Sequence, residues 1–194
     1  MTAPFVHLRL HTEYSLVDGL VRIKPLAKTA AALGMPAIAI TDYSNMFALV
    51  KFQKAATEAG IKPIYGADVW VEAAQADEQP SRMVLLAKNL QGYRNLTVLV
   101  SKGYLFGQQR NRVIISRDWL KQKSEGLICL SGGKQGEIGR ALLGGKAERA
   151  EALVQEMQAT FPDSFYLELQ RTARQDDETY LHLAVDLAAK TNCP

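Results

Sequence analysis

Phe5-Val6-His7-Leu8-Arg9-Leu10-His11-Thr12-Glu13-Tyr14-Ser15-Leu16-Val17-Asp18-Gly19 lies near the start of the chain and alternates strictly over its first seven residues. An extended strand there would carry Val6, Leu8 and Leu10 on one side and His7, Arg9 and His11 on the other. One side is apolar and the other cationic. After His11 the alternation breaks, and Asp18-Gly19 is a turn signal that sets a carboxylate just past the strand's carboxyl end. Active sites of β/α proteins lie at that end.

The same pattern recurs downstream. A helical spacing over Val21 to Leu33, closing at Gly34, is followed by the apolar run Ala37-Ile38-Ala39-Ile40 of a strand buried on both faces, which exits into Thr41-Asp42-Tyr43-Ser44-Asn45. A second helix presents Leu49, Phe52 and Ala56 and closes at Gly60. Ile61 to Val71 reads as a third strand with Asp68 near its exit and Gly66 as a weak middle or a bulge. Glu72 to Ser81 is a loop, Met83 to Ala87 a fourth strand, and Asn89 to Gly103 a helix. Ser116 offers a cap to a short helix ending near Gln122. Leu127 to Ser131 is a fifth strand, leaving into Gly132-Gly133-Lys134-Gln135-Gly136. A helix over Ala147 to Thr160, a sixth strand over Phe165 to Leu169 and a helix over Asp176 to Ala189 complete the series.

Strands separated by helices imply an α/β class with parallel strands and right-handed crossovers. Polar residues gather after several strands, which a barrel with a site at one rim explains better than an open sheet with a single switch point. The 194 residues suit one domain spanning 1–194, and 47% hydrophobic with 22% charged residues is ordinary globular composition. A net charge of +3 is too weak a field to signal nucleic-acid binding, and the basic residues form no single stripe. Cys129 and Cys193 lack metal-ligand spacing, and Cys129 reads as a buried thiol, which fits a reducing cytoplasm. No apolar run approaches the roughly 20 residues of a membrane span.

His7 and His182 read as structural histidines, whereas His11 has acidic neighbours. Asp18, Asp42 and Asp68 could each cap a turn, but their recurrence at successive strand exits suggests a shared site. The Gly132 to Gly136 loop lacks the Gly-Lys-Ser/Thr of a P-loop and reads as a turn into a helix. Arg110 and Arg112 read as solvated charges in a polar loop.

Several spaced segments together resemble the polymerase and histidinol phosphatase (PHP) domain family, in the form found at the amino terminus of bacterial replicative DNA polymerase III alpha subunits. They are His7 to Gly19, Ala37 to Met46, Gly60 to Asp68, Leu85 to Asn89 with Gly92 to Leu96, Gly126 to Gly139, and Phe165 to Leu169. The resemblance implies a distorted (β/α)7 barrel, incomplete at its carboxyl-terminal end because the family pattern and the polymerase core continue beyond Pro194. Active members resemble phosphoesterases with a cluster of divalent metals that activates water and neutralises phosphate.

Set against that pattern, the positions of this chain diverge. The family's His-x-His falls on Arg9 and His11, its Asp-His on Asp42-Tyr43 and its Gly-x-Glu on Gly66-Ala67-Asp68. Asp18 keeps a ligand position. An expected histidine is replaced near Arg82, a cysteine by Gly133, and a final Asp-His by Arg171-Thr172. A guanidinium has no lone pair for a metal. The resemblance thus implies a degenerate site without metal cofactor, in which Arg9, Arg82 and Arg171 bond to Asp18, Asp42 or Asp68. It further implies a scaffold that docks the proofreading exonuclease subunit and supports the remainder of the alpha subunit, meeting DNA only through the full polymerase. The competing reading is a phosphoesterase or exonuclease holding zinc, manganese or magnesium on His11, Asp18 and Asp68.

Overall fold

The computed structural model describes residues 5–16, 18–75 and 78–194. Val17 of the opening segment, Ala76 and Asp77 of the expected loop, and residues 1–4 of the expected 1–194 domain lie outside the described residues.

Ile23, Ala27 and Ala30 fall on one face of helix α1 (Ile23–Ala32), and Phe52, Ala55 and Ala56 on one face of α2 (Leu49–Glu58). Both faces pack on the outer side of strand β1 (Ala37–Tyr43), where Ile38 and Ile40 complete a buried cluster. β1 runs parallel to β2 (Lys62–Val71), pairing Ala37 with Lys62 through Tyr43 with Asp68. The opening segment lies beside β1: the amides of Ala39 and Thr41 donate to the carbonyls of His7 and Leu10, each at 2.8 Å. It is extended but forms no regular ladder strand. The expected alternation survives in part, since Leu10 packs against the buried cluster while Leu8 stays exposed.

The uniformly parallel sheet expected from the sequence needs correction. Strand β3 (Ser81–Ala87) is antiparallel to β2, with Asp68 opposite Val84 and Trp70 opposite Arg82. Among the described residues no helix separates these two strands, and so short a connection suits an antiparallel pair and not a parallel one. After α3 (Leu90–Phe106), capped by Asn89, a hairpin that the sequence did not announce forms from β4 (Gln108–Gln109) and β5 (Arg112–Ile115). Arg110 and Asn111 turn it with φ of 48° and 62°. Trp70 and Val71 pair with Ile114 and Ile115, so β5 takes over the edge of β2 that β1 vacates after Tyr43.

Ser116 caps α4 (Arg117–Gln122), as its position in the sequence suggested. Strand β6 (Leu127–Leu130) then pairs antiparallel with β3. The 132–136 loop turns into α5 (Glu137–Leu143), followed by α6 (Ala147–Thr160). Strand β7 (Phe165–Tyr166) is parallel to β6 and shorter than the expected 165–169 run; α7 (Asp177–Thr191) follows. The main core, including Leu85, Leu96, Leu99, Val154 and Tyr180, lies between the sheet and α3 to α7.

The opposite face of the sheet curls around a cavity of about 1310 Å³, with Ile64, Leu86, Ile128 and Leu130 among its lining. The class is α/β, and the sheet is not closed. Among the described residues no backbone hydrogen bond joins residues 5–11 to residues 165–170 across the gap. Among them, too, no helix is long and apolar enough to cross a membrane.

Gly66 forms no bulge, because its pairing runs unbroken from Thr41 on one side to Leu86 on the other. A Cβ there would lie 2.6 Å from the Leu85 carbonyl oxygen and 2.6 Å from the Leu86 side chain. Gly66→Val should therefore spread the β2–β3 pair and cost about 2 kcal/mol or more in urea unfolding.

Candidate functional site

Register explains why one charged cluster forms at the rim. Tyr43 stands beside Asp68 across β1 and β2, and Trp70 beside Arg82 across β2 and β3. Arg82 is therefore diagonal to Asp68, within reach of a long side chain. Asp68 is fully buried. Arg82 Nε donates to Asp68 Oδ1 at 2.7 Å, and Arg82 Nη2 lies against Asp68 Oδ2. From the opening segment, Arg9 Nε donates to Asp68 Oδ2 at 2.9 Å with Nη2 at 2.6 Å from the same oxygen. His11 Nε2 lies 2.9 Å from Asp68 Oδ2, and its Nδ1 lies 3.0 Å from Asp18 Oδ1.

One buried carboxylate thus binds three nitrogenous side chains. Arg9 uses its remaining arm to reach Glu168, with Nη1 donating to Oε1 at 3.0 Å. Glu168 is the functional residue that sequence reasoning missed. Its signal was alternation with Phe165 and Leu167, both buried, which turns position 168 toward the cavity. Its backbone is pinned from both sides: the amide donates to Ser131 Oγ at 2.9 Å, and Tyr180 Oη donates to its carbonyl at 2.8 Å. Burial pushes the Tyr180 phenol up to about 12, which keeps it a donor.

The charges nearly balance. Asp18, Asp68 and Glu168 supply three negatives, Arg9 and Arg82 two positives, and a protonated His11 would supply the third. Burial lowers the affinity of His11 for its proton, but the hydrogen bond and charge of Asp68, aided by Asp18, more than offset it and raise its pKa above 6.5. Burial likewise opposes the charge on Arg9, and Asp68 and Glu168 outweigh it. Burial, then the neighbouring Arg9, pull Arg82 downward, yet it remains cationic at neutral pH. The Tyr43 ring lies 3.5 Å below the Arg82 guanidinium carbon and 5.5 Å from the His11 ring. Arg112, read from sequence as a solvated charge, is exposed and also sits 4.4 Å over Trp70.

Other expected members lie elsewhere. Asp42 faces inward, accepting from Thr12 N at 2.6 Å, Thr12 Oγ1 at 2.8 Å and Ser15 Oγ at 2.7 Å, so hydroxyls and an amide satisfy it with no arginine. Arg171 does not reach the expected aspartates. β7 ends at Tyr166 and the chain then swings outward, leaving Arg171 on the surface with Glu178 at 2.8 Å. Thr172 donates to Asp177 through its amide at 2.7 Å and its hydroxyl at 2.9 Å, fixing the entry to α7. Gly133 has φ of 58°, a backbone that would strain any side chain placed there. His182 and His7 are exposed and stand outside the cluster.

These residues do not fit a divalent cation. Both oxygens of Asp68 and both nitrogens of His11 are already engaged, and among the described residues no group of three His, Cys, Asp or Glu side chains is arranged to hold a metal. A dication about 5 Å from either guanidinium would meet roughly 6–7 kcal/mol of repulsion at an effective dielectric of about 20.

An α/β sheet curled around a cavity, with charged side chains gathered at one rim, is a fold shared with solved structures of other proteins. An amidohydrolase from Chromobacterium violaceum, solved with bound sulfate and no metal, superposes with a TM-score of 0.61 at 14% identity, over 97% of this chain and 84% of that one. Residues 7–172 match the PHP domain, and the chain belongs to that family. Its sequence is 59% identical over 194 residues to the DNA polymerase III subunit alpha of Pseudomonas aeruginosa and 50% identical over 190 residues to that of Escherichia coli K12. These matches cover 100% and 98% of this chain, which spans 16% of the length of either relative.

Removing the shared carboxylate should strand three buried or half-buried cations. Asp68→Ala is expected to cost roughly 3–5 kcal/mol in chemical unfolding, against under about 1 kcal/mol for the half-exposed Asp18→Ala. The raised His11 pKa gives a signed pH effect. Its contribution is complete below about 6.5 and is lost as pH rises through the folded-state value. Unfolding free energy should therefore fall across that window in the parent and stay flatter in His11→Asn, with the imidazole titration followed by NMR.

Proposed function

We propose that this chain is a metal-free scaffold within a replicative DNA polymerase alpha subunit in the cytoplasm, and that it docks the proofreading exonuclease subunit and braces the polymerase core. The observation that carries the scaffold reading is the binding of Asp68 by Arg9, Arg82 and His11. Where a hydrolase needs open ligands and a water, this site offers a carboxylate already neutralised by fixed organic cations. Arg9 joins the opening segment to β2 and to the segment after β7, so the same groups that exclude a metal hold the curled sheet together. Kinship with DNA polymerase III alpha subunits supports the place in DNA replication.

In full alpha subunit carrying this segment, bound zinc and manganese should be equal in the parent and in His11→Ala. Hydrolysis of a chromogenic phosphate ester and of a single-stranded DNA 3′ end should not exceed the chelator-treated control. Metal or activity that His11→Ala removes would establish the phosphoesterase reading on His11, Asp18 and Asp68 instead. Titration with the exonuclease subunit tests the docking role, and the absence of a complex at micromolar concentrations would refute it.

A further inference from the structure

Between Glu168 and Asp177 the chain passes from β7 to α7 along the mouth of the cavity. Both ends of this passage are fixed. Glu168 is held by Arg9, by the Ser131 hydroxyl and, through its carbonyl, by Tyr180, and Asp177 is buried at the head of α7. The residues between add no side chain to the core, since Arg171 to Asp176 are all exposed. Among the described residues, the backbone-to-backbone hydrogen bonds of residues 169–176 run only into the first turn of α7, from Asp177 N to the Arg174 carbonyl at 3.2 Å and from Tyr180 N to the Asp176 carbonyl at 2.9 Å. A segment with neither buried apolar contacts nor a strand ladder opens at low cost.

Its position depends instead on one carboxylate and one ammonium. Asp177 Oδ2 accepts from the Thr172 amide at 2.7 Å, the Thr172 hydroxyl at 2.9 Å and the Arg174 amide at 3.1 Å, which folds the segment onto the start of α7. Lys134 pairs with Asp177 Oδ1 and donates to the Gln175 carbonyl at 2.6 Å, which ties that fold to the loop leaving β6. Gly133 lets the two loops approach, since a Cβ there would already touch the Gln170 side chain at 3.5 Å. Alternate residues Gln170, Thr172 and Arg174 line the cavity from one loop, and Lys134 and Gln135 line it from the other. The latched shape is held against backbone preference: Ala173 and Asp176 have φ of 57° and 65°, left-handed values that are costly for a residue with a Cβ, most of all for alanine.

We infer that residues 170–176 form a strap across the cavity mouth, latched by Lys134 on Asp177 and Gln175, and that release of the latch swings the strap outward and widens access to the cluster around Asp68. Glu168 and Asp177 stay as its anchored ends, and Ala173 and Asp176 relax to ordinary backbone as it opens. The nearby Arg171–Glu178 pair is no part of the latch. Both of its side chains are exposed, and it joins the strap only to α7, the element the strap already leads into.

The test uses full alpha subunit and hydrogen–deuterium exchange read by mass spectrometry. Lys134→Met should speed exchange in peptides spanning 169–177 about fivefold or more, because the Thr172 and Arg174 amides lose their acceptor as the strap opens. Lys134→Arg, which keeps a cation within reach of both oxygens, should stay within about twofold of the parent, and Arg171→Met should leave exchange unchanged. Access is read from alkylation of Ile128→Cys, at a cavity-lining position, or of Tyr166→Cys should the first lower the thermal midpoint. Adding Lys134→Met should raise that alkylation rate about threefold or more. Unchanged strap exchange in Lys134→Met would overturn the latch. Faster exchange spread through β3 and β6 as well would make Lys134 a general stabiliser of the fold and would overturn it equally. Faster strap exchange without faster alkylation would overturn the inference that the strap guards the cavity.

Discussion

A fully buried carboxylate cannot stand alone, and the rim of this sheet is arranged around that constraint. Asp68 sits late in the central strand, level with the end of β1, where burial makes an uncompensated charge cost several kcal/mol. The compensation comes from three directions: Arg9 from the opening segment, His11 two residues on, and Arg82 from the antiparallel neighbour. Each of these is itself steadied by another contact. Glu168 holds Arg9, Asp18 holds His11, and the Tyr43 ring underlies Arg82. A single acidic side chain thereby links the opening segment, β2 and β3, and through Arg9 the segment after β7.

Metal-dependent hydrolysis requires ligands with free lone pairs and a position for water. Here the lone pairs are directed at guanidinium and imidazole nitrogens, and the carboxylate at Asp42 is consumed by Thr12 and Ser15. At Gly133 the left-handed conformation suits glycine and would strain a larger residue.

The helices and most strand positions were legible in the sequence because their apolar periodicities and terminal signals are strong: Ser116 as a cap and Gly34 and Gly60 as terminators are local effects that depend on few neighbours. Strand direction was not legible in the same way. The reversal at β3 goes with a connection from Val71 to Ser81 whose described residues form no helix, and the β4–β5 hairpin is too short to leave a period. At the rim, His11, Asp18 and Asp68 could be named from their positions near strand exits, whereas Arg9, Tyr43 and Arg82 were reached only through the resemblance to the family, Arg82 standing at the start of β3. Glu168 and the outward course of Arg171 depend on where β7 stops, which is fixed by pairing with β6 rather than by local sequence.

The gap between the opening segment and the segment after β7 is spanned by an ion pair, Arg9 to Glu168, in place of a ladder of amide bonds. Backbone ladders yield cooperatively, whereas a charged clasp responds to ionic strength and proton activity one residue at a time. Salt and pH are therefore expected to act on the contact between Arg9 and Glu168 before they act on the strand pairing behind it.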